Sequence, residues 1–161
     1  MVKIALKIKV LLENIEELKS SGSSHNWYFK FKCCNCGEIT KKWCSVSLED
    51  SIPSTKGNAV NHFLAKCKLC GRENSMTIVE DSIKSFTAED QGRFKIIVIL
   101  DCRGLEPCDF SAREGWIAKA IDNGTEFTDV DLYEYEWIEY CEKIKKPVGI
   151  TEIEHRFERV K

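Results

Sequence analysis

The chain has 161 residues, of which 43% are hydrophobic and 31% are charged, and its formal net charge is -2. This length allows one ordinary domain or two small lobes with a real core, and the composition excludes wholesale disorder. No stretch approaches the roughly 20 apolar residues of a membrane span. Lysines interrupt the apolar start of the chain, so we expect no targeting signal there. We expect a cytoplasmic or nuclear protein without a membrane partner, in a compartment that keeps thiols reduced.

Alternating apolar residues predict strands in the first half. From Val2 to Leu12 every even position is apolar, and lysines take most of the others, which is typical of a half-buried strand. Serine, proline and glycine mark loops at 20–24 and 51–58. Further strands are predicted from Trp27 into Cys33, from Trp43 to Leu48, from Asn61 to Cys67 and from Met76 to Val79.

The second half also has the periodicity of strands. The apolar run in 95–100 predicts a buried strand, residues 115–121 predict a strand followed by an Asn-Gly turn, and 153–157 alternate as a terminal strand. Residues 129–142 fit a strand and a helix equally well. The sequence thus predicts a mainly β protein.

A weak internal repeat relates the two halves. Residues 7–13 resemble 95–101, and Ile15-Glu16 is echoed by Leu105-Glu106, although strands of apolar and charged residues also look alike by chance. We predict two similar small lobes of β-sandwich or barrel type. The N-terminal lobe covers 1–84, the C-terminal lobe covers 93–161, and 85–92 connects them.

Two C-x-x-C pairs, each followed by glycine, stand 30 residues apart at Cys33, Cys36, Cys67 and Cys70. Two residues between cysteines let both sulfurs of a tight turn reach one metal ion in tetrahedral geometry. The glycine lets the chain leave the turn with positive φ. Two such turns facing each other complete a zinc-ribbon-like site of four cysteines in the first lobe, so we expect one structural Zn²⁺ per chain.

Other interpretations of the cysteine pairs are weaker. A disulfide disagrees with a reducing compartment, and a redox C-x-x-C should open a helix, whereas both pairs are followed by turn-forming residues. A rubredoxin-type iron centre has the same geometry and stays open. The remaining cysteines are expected to be spare or small buried hydrophobes, and the histidines are not expected to be ligands. These residues are Cys34, Cys44, Cys102, Cys108, Cys141, His25, His62 and His155, of which His155 is predicted to lie in the core.

The charges divide between the halves. From Tyr28 to Arg72 there are eight basic residues and three acidic ones, and from Asp122 to Glu142 there are eight acidic residues and no basic one. Lysines near a thiolate-bound zinc are expected as counter-charges. A nucleic-acid surface is the alternative, with Trp27, Tyr28 and Phe29 as candidate stacking residues, although strand alternation would bury the first and third of these.

No catalytic motif is present, so we do not expect an enzyme. The sequence lacks a glycine-rich phosphate loop, G-x-S-x-G and H-E-x-x-H. A thiol-dependent enzyme with Cys102 as nucleophile, activated by Arg103, is the remaining catalytic hypothesis.

The chain resembles the eukaryotic CXXC-motif-containing zinc-binding proteins, an uncharacterised protein family. The resemblance rests on the Trp27-Tyr28 lead into the first pair, on 66–70 with 72–74, and on the unusual stretch 102–107, with further matches at 88–90 and 148–150. It implies a bilobal β protein with one zinc in the first lobe, bound by the four paired cysteines. It implies no established activity.

The leading functional hypothesis is a zinc-stabilised protein-interaction module with another protein as partner. A nucleic-acid-binding zinc ribbon and a metal-handling protein for zinc or copper are the alternatives. Nine cysteines favour metal handling, but the expected burial of the four-cysteine site opposes it, because a trafficking site must exchange its metal.

Overall fold

The computed structural model describes residues 2–54 and 60–161. Within these ranges the chain forms fifteen strands and two single turns of 3-10 helix. The strands are β1 (Val2–Glu13), β2 (Ile15–Ser20), β3 (Trp27–Cys33), β4 (Cys44–Val46), β5 (Ile52–Pro53), β6 (Val60–Asn61), β7 (Phe63–Lys66), β8 (Glu73–Val79), β9 (Phe86–Thr87), β10 (Lys95–Arg103), β11 (Leu105–Ser111), β12 (Trp116–Ala120), β13 (Glu126–Val130), β14 (Trp137–Cys141) and β15 (Lys146–Val160), and the turns cover Glu80–Ser82 and Ala88–Asp90.

Strand β1 lies at the centre of the molecule. Its even positions from Ile4 to Leu12 are all buried, which confirms the predicted alternation. It pairs antiparallel with β10 on one side and with β15 on the other. A strand with neighbours on both sides has its backbone groups hydrogen-bonded along both edges, so β1 holds the main sheet together.

The main sheet has six strands in the order β14-β15-β1-β10-β8-β7. This order is symmetric about its centre, because exchanging β1 with β10, β15 with β8 and β14 with β7 leaves it unchanged. The smaller sheets follow the same relation, since β3 pairs with β11 and β2 pairs with β12. The topology agrees with the internal repeat seen in the sequence.

The repeat extends to a chain reversal in each half. Strands β1 and β2 are separated by Asn14 alone, and β10 and β11 by Gly104 alone. Both residues have positive φ, 54° for Asn14 and 76° for Gly104, a conformation that glycine and asparagine adopt most readily. The two central strands thus turn sharply away from the main sheet at equivalent points.

Two small sheets pack on opposite ends of the main sheet and make the two lobes. The sheet β11-β3-β4 packs near β7, where the rings of Phe31 and Phe63 stack with centroids 4.7 Å apart. The sheet β13-β12-β2-β9 packs near β14, where Phe127 meets Trp137 edge-on at 5.1 Å. The fold is therefore mainly β with two similar lobes that share one sheet.

Strand pairing crosses the sequence boundary that was predicted between the lobes. Strand β11 of the segment 93–161 pairs with β3 of the segment 1–84. In the same way, β2 of 1–84 pairs with β12 of 93–161. The connector predicted at 85–92 contains β9, whose Phe86 is fully buried. The sequence halves thus exchange strands, because each central strand turns at Asn14 or Gly104 into the lobe of the other half.

Several local predictions are refined by the structure. The ambiguous segment 129–142 ends as the strand β14 after a turn, and the strands β2 and β11 were not predicted. The loop predicted at 51–58 includes β5 and extends partly outside the described residues. In the described ranges no helix has the length and apolar character needed to cross a bilayer.

Candidate metal centre

The first cysteine pair forms a tight turn at the end of β3. Cys33 N–H donates to Glu38 O, and Gly37 N–H donates back to Cys33 O, both at 2.8 Å. Gly37 has a φ of 83°, which a side chain would disfavour. The turn, which we call the first knuckle (residues 33–38), therefore has the conformation expected from the C-x-x-C-G spacing.

The second pair repeats this turn between β7 and β8. Cys67 N–H donates to Arg72 O at 2.8 Å, and Gly71 N–H donates to Cys67 O at 2.9 Å. Gly71 also has positive φ, at 78°. This second knuckle (residues 67–72) has the same hydrogen bonds at the same offsets as the first.

The two knuckles bring their four sulfurs together. The Sγ atoms of Cys33, Cys36, Cys67 and Cys70 all lie within 4.8 Å of one another. Cys36 Sγ is 3.5 Å from Cys67 Sγ, and Cys33 Sγ is 3.8 Å from Cys70 Sγ. A tetrahedral ion with bonds of about 2.3 Å to sulfur needs sulfurs about 3.8 Å apart, whereas a disulfide needs about 2.05 Å. The spacing fits one tetrahedral metal ion.

Asparagine side chains support the sulfurs, and the sequence did not point to them. The pKa of Cys33 is lowered to about 6, mainly because the Asn74 amide and then the Cys36 N–H donate hydrogen bonds to its sulfur. The Asn35 amide lowers the pKa of Cys70 in the same way. Hydrogen bonds to a thiolate favour the charged form that a metal requires. The sequence indicates these two asparagines only by their positions, because Asn35 lies inside the first cysteine pair and Asn74 follows shortly after the second.

The Asn74 amide lies between the knuckles and the sharp turn that joins β10 and β11. It is buried, and a Cβ atom on Gly104 would overlap its Oδ1. Cys34 N–H donates to Gly104 O at 2.9 Å. The turn at Gly104 therefore holds the first knuckle against β8, which explains how strand exchange positions the site.

The site lies at the surface of the lobe, whereas the sequence led us to expect a buried one. Cys33 is buried and Cys67 is half-buried, but Cys36 and Cys70 are exposed. The reason is that both knuckles are hairpin tips at the end of their sheets, so only Cys33, at the end of β3, reaches the core.

The other five cysteines lie apart from this cluster. Cys102 is buried, and burial together with the Asp101 charge raises its pKa to about 12. The thiol of Cys102 is therefore protonated at neutral pH and a poor nucleophile. Cys141 is also buried. Cys108 was expected to be buried but is exposed, because the strand register shifts there and forms a bulge.

Among the described residues, no histidine side chain belongs to the candidate metal-binding cluster. His62 Nδ1 accepts a hydrogen bond from Ile78 N–H at 2.7 Å. His155 was expected in the core, but it is half-exposed, with Nε2 3.5 Å from Asp109 Oδ1. Its ring meets Phe110 and Phe157 edge-on at 5.7 and 5.8 Å, but the face of β15 that carries Ile153, His155 and Phe157 is only partly covered. His25 lies in the predicted loop but is buried.

The second lobe has equivalent turns without the ligands. Ala120 N–H donates to Thr125 O at the same offset as in the first knuckle, and Cys141 pairs with Lys146 as Cys67 does with Arg72. The positions that correspond to the four cysteines are Ala120, Asn123, Cys141 and Ile144. Only one of these is a cysteine, so the symmetry of the fold does not extend to the metal site.

Comparison with known proteins gives one family. The model of the family "CXXC motif containing zinc binding protein, eukaryotic" matches residues 5–158. Proteins called "CXXC motif containing zinc binding protein" in Rattus norvegicus and Homo sapiens are 46% identical over 157 residues, with 98% of both chains covered. The crystal structure of C1orf123 superposes with a TM-score of 0.93 at 46% identity, covering 98% of this chain and 99% of that chain. A hypothetical protein from Plasmodium falciparum shares the fold, with a TM-score of 0.89 at 19% identity and coverage of 98% and 100%. By its sequence, its fold and its paired C-x-x-C turns, this chain belongs to the eukaryotic CXXC-motif-containing zinc-binding protein family.

Proposed function

We propose that the chain is a protein-interaction module stapled by one structural Zn²⁺, which Cys33, Cys36, Cys67 and Cys70 bind. The observation that carries the metal part of this proposal is the sulfur cluster, whose spacing suits a tetrahedral ion and whose four protein ligands would leave no coordination position for a substrate. Membership of a zinc-binding family supports zinc over iron. A reducing compartment, the cytosol or the nucleus, would keep the four thiols available to the metal.

The metal would act as a staple because each knuckle alone is short. The first knuckle follows β3, which belongs to the sheet β11-β3-β4, whereas the second knuckle joins β7 and β8 of the main sheet. The four cysteines therefore come from two different sheets. Structural zinc binding contributes on the order of 10–16 kcal/mol, and that free energy is coupled to folding. One ion would therefore fix the relative position of the two hairpins and shape the surface between them.

A protein partner is the best match to the surface. In the segment 93–161 the exposed large apolar side chains all fall within the acidic run, at Tyr133, Tyr135, Ile138 and Tyr140. The segment that contains the two knuckles is basic. Tyrosine is enriched at interface hot spots. The test is proximity labelling in cells with the native chain and with Cys36→Ser. Specific neighbours that depend on the intact knuckles support the proposal, and the absence of any specific neighbour contradicts it.

Metal handling is the second candidate, and the exposure of Cys36 and Cys70 favours it. A surface site lets a competing ligand attack the ion, as transfer between proteins requires. This candidate predicts rapid exchange of the bound ion with a chelator while the lobe stays folded. A structural site predicts the opposite.

Nucleic-acid binding has weaker support. Trp27 and Phe29 are buried, and the half-buried Tyr28 ring is already covered by the Arg113 guanidinium, 4.5 Å from the ring centroid. Of these three side chains only Tyr28 is left as a stacking residue, and Arg113 already occupies one face of its ring. Tight binding of single-stranded oligonucleotides with a steep dependence on salt would restore the hypothesis.

A further inference from the structure

A groove runs beside the metal centre, between the two knuckles. It has a volume of about 450 Å³. Its floor is apolar and includes Phe31, Phe63 and Leu105, and its walls continue into both knuckles. Because the knuckles form part of the walls, a metal ion that joins them would set the width of the groove.

One side of the groove is an open strand edge. Strand β7 is the last strand of the main sheet in the described part of the chain, and three of its residues, Phe63, Ala65 and Lys66, line the groove. An open strand edge offers backbone donors and acceptors to an extended peptide, and adjacent pockets select its side chains.

The rim of the groove is basic. Lys41, Lys42, Lys66 and Lys68 line it together with the single acidic residue Glu38, and all four lysines are exposed. Zinc with four thiolates would carry a formal charge of about -2, and Lys66 and Lys68, which flank Cys67 in the sequence, would serve as its counter-charges. The other two lysines remain to attract an external anion.

The apolar side chains at the floor argue for a peptide over a nucleic acid. Phe31 is only 2% exposed, and its ring covers one face of the half-buried Phe63 ring, so Phe63 is the only one of these two rings that offers an accessible apolar surface. Ile39 at the rim is 48% exposed, so it can contact one apolar side chain of a bound peptide. A peptide with one apolar residue between acidic ones matches both the floor and the rim.

We infer that the groove between the knuckles binds an acidic, extended peptide of a partner protein, which adds to the edge of β7 and inserts an apolar side chain above Phe63. This inference rests on the proposed function and assigns to it a binding surface that is separate from the exposed tyrosines of the acidic segment. The zinc ion would act on binding indirectly, by holding the groove walls.

The experiment uses a random peptide phage library selected against the zinc-loaded native protein. We expect enrichment of acidic peptides with a central apolar residue. The best peptide, labelled with fluorescein, should lose affinity roughly tenfold with Lys41→Glu/Lys42→Glu, because two attractive contacts become repulsive. It should lose affinity also with Ile39→Ser, and it should shift the amide resonances of β7 in NMR spectra.

A matched control changes the same charge in the second lobe. Lys143 and Lys146 are exposed at the turn of the second lobe that corresponds to the second knuckle, far from the groove residues in the sequence, so Lys143→Glu/Lys146→Glu should leave peptide affinity unchanged. Zinc content is measured for each variant. Loss of zinc from Lys41→Glu/Lys42→Glu would mean that these lysines are only counter-charges, and this would overturn the inference.

Other outcomes also decide against the groove. They are a selection without enriched peptides, peptides that bind Lys41→Glu/Lys42→Glu as tightly as the native protein, and displacement of the peptide by a labelled oligothymidine. Proximity labelling separates this failure from failure of the proposed function. Neighbours that the Lys41→Glu/Lys42→Glu variant retains would overturn the groove and leave the interaction module standing, whereas no specific neighbour of the native protein would overturn the module itself.

Discussion

At the residue scale, the turn at Gly104 links the metal centre to the central strands. Its φ is 76°, and a Cβ atom would overlap buried Asn74. We expect Gly104→Ala to cost on the order of 3 kcal/mol of unfolding free energy, because the backbone is strained and the amide that donates to Cys33 must move. Urea denaturation of the zinc-loaded protein measures the loss.

A second glycine supplies the control for this substitution. Gly92 has a φ of 86° with no atom within 4 Å of an added Cβ, so Gly92→Ala tests the backbone strain alone. We expect it to cost roughly 1 kcal/mol. Equal losses for the two variants would mean that the contact with Asn74 does not constrain Gly104.

His25 makes stability depend on pH. Burial lowers its pKa from 6.5 to about 4, although the Gly115 carbonyl, 3.0 Å from Nδ1, opposes the shift. The folded protein thus binds this proton less tightly than the unfolded chain does. The stabilising effect is complete above about pH 6.5 and is lost progressively as the pH falls towards 4.

Replacement of this imidazole by a group that does not titrate should remove the effect. Between pH 7 and about pH 5.5 the native protein should lose roughly 1 kcal/mol more unfolding free energy than His25→Gln. Protonation of the cysteines affects both proteins equally, so the difference isolates His25. Parallel pH profiles in urea denaturation would show that His25 titrates normally in the folded state.

At the scale of elements, the two knuckles distinguish ligand from spare cysteines. Cys36 lies in the sulfur cluster, whereas its neighbour Cys34 is exposed and lies outside it. We expect Cys36→Ser to abolish stoichiometric zinc binding and to unfold both hairpin tips, because the metal contributes much of their stability. Cys34→Ser should keep one zinc per chain. Zinc content by mass spectrometry and NMR spectra of the two variants make the comparison.

Local sequence patterns specified the knuckles but not all of the strands. The C-x-x-C-G spacing specifies a turn by its own hydrogen bonds, so both knuckles could be predicted. The alternation of β1 was equally clear. Strand β11 was missed because Pro107 and the bulge at Cys108 break its alternation. The segment 129–142 was ambiguous because a turn and a strand share its aromatic residues.

At the scale of the whole molecule, the sequence revealed the repeat but not the exchange of strands. Resemblance between 7–13 and 95–101 is visible locally. The sequence does not show which strands pair, because β1 pairs with β10 and β15, which are separated from it by many residues. Only the reversals at Asn14 and Gly104 send β2 and β11 into the opposite lobes, and single residues of this kind occur in many turns.

Strand exchange predicts that neither half folds by itself. A fragment of residues 1–92 would leave β1 without both of its neighbours and β3 without β11. We expect this fragment to show no cooperative unfolding, and co-expression with 93–161 should restore a folded complex with zinc. A monomeric 1–92 fragment that unfolds cooperatively would contradict the account of the shared sheet.

The most direct test of the structural zinc is titration of the native protein with a strong chelator, following metal release and the β-sheet circular dichroism signal together. If the zinc is structural, the protein should hold one zinc per chain and release it only as the knuckle lobe unfolds, because the free energy of metal binding is coupled to that of folding. Ready release of the metal from a lobe that stays folded would contradict this account and would make metal handling the better description of the protein.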